Sequence, residues 1–110
     1  MIVRISERAE EDLARIYAKI AGPRPEAAER FEIEVEKALK LLAAHPELGP
    51  RPGWETRHQK LRFWVVSHFH NYLIYYEAGE NEISIERVLD GRRDVRRIIE
   101  QGIEEPPPED

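Results

Sequence analysis

Apolar residues recur along this chain with two different periods, and the change of period separates a helical half from a strand half. Ile2-Val3-Arg4-Ile5 alternates and is β-branched, which predicts a short strand ending at Ser6. Ser6 is a good helix N-cap, and Glu7, Glu10, Glu11 and Asp12 put negative charge near the positive end of the following helix dipole. Ala9, Leu13, Ile16, Tyr17 and Ile20 then return every 3.6 residues, so that helix buries one face. Gly22-Pro23-Arg24-Pro25 breaks it. Pro25 suits the first turn of a second helix, whose stripe is Phe31, Val35, Ala38, Leu39 and Leu42 and whose end lies near Ala44-His45-Pro46. So short a breaker folds the two helices back on each other as a hairpin.

The prolines and glycines between Pro46 and Gly53 allow no regular element. Beyond them the period is two. Leu61, Phe63 and Val65, then Tyr72, Ile74 and Tyr76, then Ile83, Ile85 and Leu89 alternate with their neighbours, predicting three strands. The short links Ser67-His68-Phe69-His70 and Ala78-Gly79-Glu80-Asn81 make these an antiparallel meander. Arg92 to Gln101, with Val95, Ile98 and Ile99, reads as a short amphipathic helix with a basic outer face. The order β-α-α-β-β-β-α predicts an α+β fold: the helical hairpin covers one sheet face, the first strand joins at an edge, and the other face stays only partly covered and free for a partner. By parity Phe63, Tyr72 and Tyr76 belong to the core, while Arg62 and Trp64 sit on the open face as an anchor pair. Arg87 falls in line with the apolar set, so either a bulge turns it outward or the core face ends there and it emerges at the margin, and pairing with an acidic neighbour is expected because an unpartnered buried guanidinium is too costly.

One domain is expected over residues 1–102, with 103–110 an acidic, proline-rich disordered tail. The 41% hydrophobic and 35% charged fractions fit an autonomously folding globular domain, and the absence of cysteine excludes disulfides and thiol nucleophiles. No apolar run approaches a membrane span and no signal-peptide core follows Met1, so the reading places the protein in the cytoplasm, without a membrane partner. The net charge of −5 speaks against a general nucleic-acid binder. Much of that charge lies in the tail, at Glu104, Glu105, Glu109 and Asp110. Within the body, Arg51 to Arg62 and Arg87 to Arg97 are locally basic, which suggests a local anionic target.

Catalytic motifs are sparse. His68-Phe69-His70 has the spacing of some metal sites, but it falls in a predicted turn without a clear third histidine, so no metal is expected. Ser67 beside His68 lacks the turn of a hydrolase nucleophile, and no glycine-rich nucleotide loop is present, so no cofactor is expected.

Four segments together resemble the RelE/ParE superfamily of toxins from bacterial type II toxin-antitoxin modules. They are Ala9 through Asp12-Leu13 and Ile16, His45-Pro46-Glu47-Leu48-Gly49, Tyr72-Leu73-Ile74-Tyr75-Tyr76, and Arg87-Val88-Leu89-Asp90-Gly91-Arg92-Arg93-Asp94. The last segment, leading into a short terminal helix, resembles the ParE branch more closely. The resemblance implies a plasmid-stabilisation or stress toxin that inhibits DNA gyrase by binding, touches DNA only through its partner and is neutralised by a cognate antitoxin. It further implies a target surface of Arg92, Arg93, Arg96, Arg97 and Trp64, and an antitoxin surface of Leu13, Tyr17, Arg62, Trp64 and Arg87. The RelE branch implies instead a metal-independent endoribonuclease acting on ribosome-bound mRNA. There Arg62, Arg87 and Arg92 would be the cations, and Asp90 would stand where relatives often have histidine. A third reading is a scaffold that binds antitoxin without toxicity.

Overall fold

The computed structural model describes residues 1–102; the expected tail, 103–110, lies outside them. The elements are β1 (Ile2–Ile5), α1 (Glu7–Ala21), α2 (Pro25–Ala44), β2 (Leu61–Val65), β3 (Tyr72–Ala78), β4 (Glu82–Asp90) and α3 (Val95–Glu100). The sheet order is β1-β4-β3-β2: the last three strands form the antiparallel meander, and β1 joins parallel to β4 at the edge. Ser6 caps α1 by accepting the Ala9 N–H at 3.0 Å, while its own hydroxyl donates to the Glu86 carbonyl at 2.8 Å and ties the cap to β4. Among the described residues no helix is long and apolar enough to cross a membrane.

The hairpin packs on one face of the sheet as expected. Ala9, Ile16, Phe31, Val35, Ala38 and Leu42 meet Ile74, Tyr76, Ile83, Ile85 and Val88 there. Arg62 and Trp64 also belong to this side, which corrects the parity reading. In an antiparallel pair directly opposed residues share a face. The register sets Trp64 against Ile74 and Arg62 against Tyr76, so both follow the hairpin core, and Phe63 follows Tyr75 to the opposite face.

That opposite face is not bare. Leu61, Tyr75 and Leu89 form a second core there, sealed by Ile99 of α3, with Trp54, Phe63, Leu73, Val95 and Ile98 packed around them. Burial by this layer pushes the Tyr75 hydroxyl up to about 12. Alternation along the meander makes both faces apolar, and the six residues of α3 with the 50–60 loop supply the missing cover.

Candidate functional site

The best-satisfied polar group in the interior is the carboxylate of Asp12 on α1. Arg87 donates to it twice, Nε at 2.7 Å and a terminal nitrogen at 2.9 Å; the Val88 N–H donates at 3.0 Å and Arg15 at 2.6 Å. Both Asp12 and Arg87 are buried, at 1% and 4% exposure. The register of β3 on β4 slips between Tyr75 and Tyr76, so that Ile85 opposes Tyr76 and Arg87 opposes Tyr75. The bulge is present, yet it does not expose Arg87: a forked guanidinium fills a matching carboxylate. Arg87 is therefore a strut between α1 and β4. That corrects its expected place on the antitoxin surface and among the endonuclease cations.

At the far end of β4 the chain turns through Gly91 into α3, and the arginines gather there. Asp90 accepts from Arg92 through the backbone N–H at 2.9 Å and through Nε and a terminal nitrogen at 3.0 and 2.7 Å. The Arg92 guanidinium holds the Asp90 carboxyl down at about 2. Asp94 caps α3 by accepting the Arg97 N–H at 3.3 Å. Arg93, Arg96 and Arg97 are exposed and make no ion pair among the described residues. Of the four expected target-facing arginines, three thus point free charge into solvent and Arg92 is shared with Asp90. Trp64 lies half-buried against the hairpin core and does not adjoin them.

The loop before β2 packs against this cationic end, where Trp54 joins Val95 and Ile98 around the second core. The Glu100 carboxyl is held below its usual range, chiefly by the Thr56 hydroxyl. Arg57 reaches the Glu100 carbonyl at 3.5 Å. Arg51, Arg57 and Glu100 border one open depression of about 610 Å³, which brings the basic loop segment next to α3. Arg51 and Arg57 of the first basic stretch therefore lie beside α3, which carries Arg96 and Arg97 of the second.

The Asp90 clamp has a measurable consequence. A carboxyl whose folded value lies below its unfolded one stabilises the fold above about pH 4 and loses that contribution as pH falls toward 2. Thermal melts of Asp90→Asn and the unaltered chain should differ at pH 6 and converge between pH 4 and 2. A constant gap across that window would show that the clamp does not titrate as described.

On the opposite flank, Leu13, Ala14 and Tyr17 of α1 and Phe31, Glu32 and Val35 of α2 line an apolar groove of about 340 Å³. Leu13 and Tyr17 are thus brought together. Arg62 is held elsewhere: its guanidinium donates to the carbonyls of Glu47 at 3.2 Å and Gly49 at 2.8 Å, closing the loop after α2. His68 and His70 are both exposed in the turn between β2 and β3.

A family model described as ParE toxin of type II toxin-antitoxin system, parDE, matches residues 3–95. The chain belongs to the ParE toxin family. Among solved structures, a chain described as "Chromosomal ParDE TA system from P. aeruginosa" aligns at a TM-score of 0.66 with 20% identity, covering 80% of this chain and 92% of that one, a likeness of fold. No curated protein sequence matches significantly. The segments that carry the ParE resemblance have visible structural work. Asp12 and Arg87 join helix to sheet, Pro46 and Gly49 receive Tyr76, and Asp90 with Arg92 shapes the turn into α3. Arg15 and Lys19, which were not among the expected site residues, come near Asp90 and Arg93 at the end of β4, and their i, i+4 spacing on α1 was the available signal.

Proposed function

We propose that this ParE-family toxin inhibits DNA gyrase by binding it through the cationic end formed by Arg93, Arg96 and Arg97, and that a cognate antitoxin keeps it inactive. The observation that carries this reading is that the exposed guanidinium groups of Arg93, in the turn before α3, and of Arg96 and Arg97, on α3, make no ion pair among the described residues, while Ile99 packs α3 onto the sheet. Rigid, unpaired cations favour fast and specific encounter with an acidic surface. The antitoxin's site is the α1–α2 groove at Leu13 and Tyr17, whose apolar walls suit one face of a helix that orders as it binds. Gyrase and antitoxin both imply action in the cytoplasm.

Binding, with no chemical step, fits the four residues of the endonuclease reading. Arg87 is buried against Asp12, Arg62 clasps loop carbonyls, and Asp90 is ionised and gripped by Arg92, which makes it a weak base. Purified chain added to gyrase and relaxed plasmid should block supercoiling and leave DNA breaks, while ribosome-bound message stays intact. Cleavage of message with unimpaired supercoiling would replace this reading with the endonuclease. Unimpeded growth on expression without antitoxin would replace it with the inert scaffold.

A further inference from the structure

Between the C-terminal half of α1 and the end of β4 lies a small pocket of about 140 Å³. It is distinct from the α1–α2 groove and lies on the hairpin side of the sheet. Arg15 and Lys19, one turn apart on α1, face Arg93 across it, and Ile16, Val88 and Leu89 supply apolar wall. Tyr72 also lines it, and its hydroxyl makes no hydrogen bond among the described residues.

The nearby negative charge is already used. Asp12 receives both arms of the Arg87 fork and the Val88 N–H, so Arg15, with its side chain 51% exposed, is only its outermost donor. Asp90 gives both oxygens to Arg92. Arg15, Lys19, Arg87, Arg92 and Arg93 outnumber Asp12 and Asp90 here, so the pocket keeps a net positive charge beside an apolar wall, where an incoming anion is attracted more strongly than on an open surface. The pocket's size and the Asp90 carboxylate in its wall favour a compact monoanion over a dianionic phosphate, since each added negative charge meets that repulsion again.

The surroundings suggest what brings the anion. On α1, Arg15 and Lys19 occupy one flank, and Leu13 and Tyr17 the other. Exposed Ala14 and Ala18 lie between, so a chain can cross the helix closely from the apolar groove to the cationic pocket. We propose that the Arg15–Lys19–Arg93 pocket receives an aspartate or glutamate side chain of a protein segment that crosses α1 from the groove. The antitoxin is the natural owner of that segment, and only this attribution rests on the toxin reading.

The test is an NMR titration of the full chain with N-acetylglutamate α-N-methylamide, whose one charge is the side-chain carboxylate, against the uncharged N-acetylglutamine N-methylamide and inorganic phosphate. The carboxylate should give saturable shifts at Arg15, Lys19, Tyr72 and Arg93, with the neutral amide giving none. Lys19→Gln/Arg93→Gln should weaken it by about tenfold or more, as expected for losing hydrogen bonds to a charged group, and Lys37→Gln on α2 should not. Absent or non-saturable shifts, equal binding of the amide, or tighter binding of phosphate would overturn the assignment. Gyrase inhibition is read in a separate assay, so loss of either result leaves the other standing.

Discussion

Replacing Asp12 with alanine is expected to destabilise the protein by about 3–5 kcal/mol, because it leaves the Arg87 guanidinium buried and unpaired. The same change strips the Val88 N–H of its acceptor in the middle of β4. For a domain whose whole stability is on the order of 5–15 kcal/mol, that is a large share. It should appear as a melting temperature lower by well over ten degrees, at about 4–8 °C for each kcal/mol. A double change of Asp12 and Arg87 to a well-packed apolar pair should recover most of the loss, since the cost lies in the orphaned charge and not in the absence of a bridge. If Asp12→Ala melts within a few degrees of the unaltered chain, the link between α1 and β4 is not what holds the hairpin to the sheet.

Gly49→Ala should be the second severe change, at about 3 kcal/mol, from overpacking together with lost buried hydrogen bonds. A methyl group at Gly49 would collide with the Phe63 carbonyl oxygen and lie 2.7 Å from the Tyr76 hydroxyl. That hydroxyl accepts the Gly49 N–H at 2.9 Å and donates to the Pro46 carbonyl at 2.8 Å, and Arg62 donates to the Gly49 carbonyl. Relieving the clash moves the loop off β2 and breaks all of these together. Gly53 has open space around it, so Gly53→Ala should stay within about 0.5 kcal/mol and serve as control. Chemical denaturation of the two variants side by side makes the comparison, and equal stability would remove the role assigned to the Pro46–Gly49 turn.

The helices were legible because each carries its own punctuation. Ser6 starts α1, Pro25 starts α2, and the apolar stripes repeat at 3.6 residues, all local signals that tertiary packing had no reason to override. The meander followed from link lengths, and the edge position of β1 from the need to pair its backbone groups. The facing of β2 was not legible, since parity within a strand says which residues share a face but not which face, and pairing of Trp64 with Ile74 decides that. The cover on the second face was also hidden: its apolar residues are drawn from a proline-rich loop and one short helix, neither long enough to show a period. Arg87 showed itself as an anomaly of alternation, yet its partner stands 75 residues away. At the candidate site, the free arginines beyond β4 were visible as a charge run. The capture of Arg92 by Asp90, and the approach of Arg15 and Lys19 to Arg93, depend on chain reversal and were not.

On the proposed function, the exposed guanidinium groups of Arg93, Arg96 and Arg97 at the end of the sheet grip gyrase. Supercoiling by gyrase, titrated with the unaltered chain and with Arg93→Glu/Arg96→Glu/Arg97→Glu at matched melting temperature, tests it directly. The unaltered chain should block supercoiling and the reversed one should fail to do so at the same concentration, whereas equal inhibition by both would show that the toxin acts through another surface.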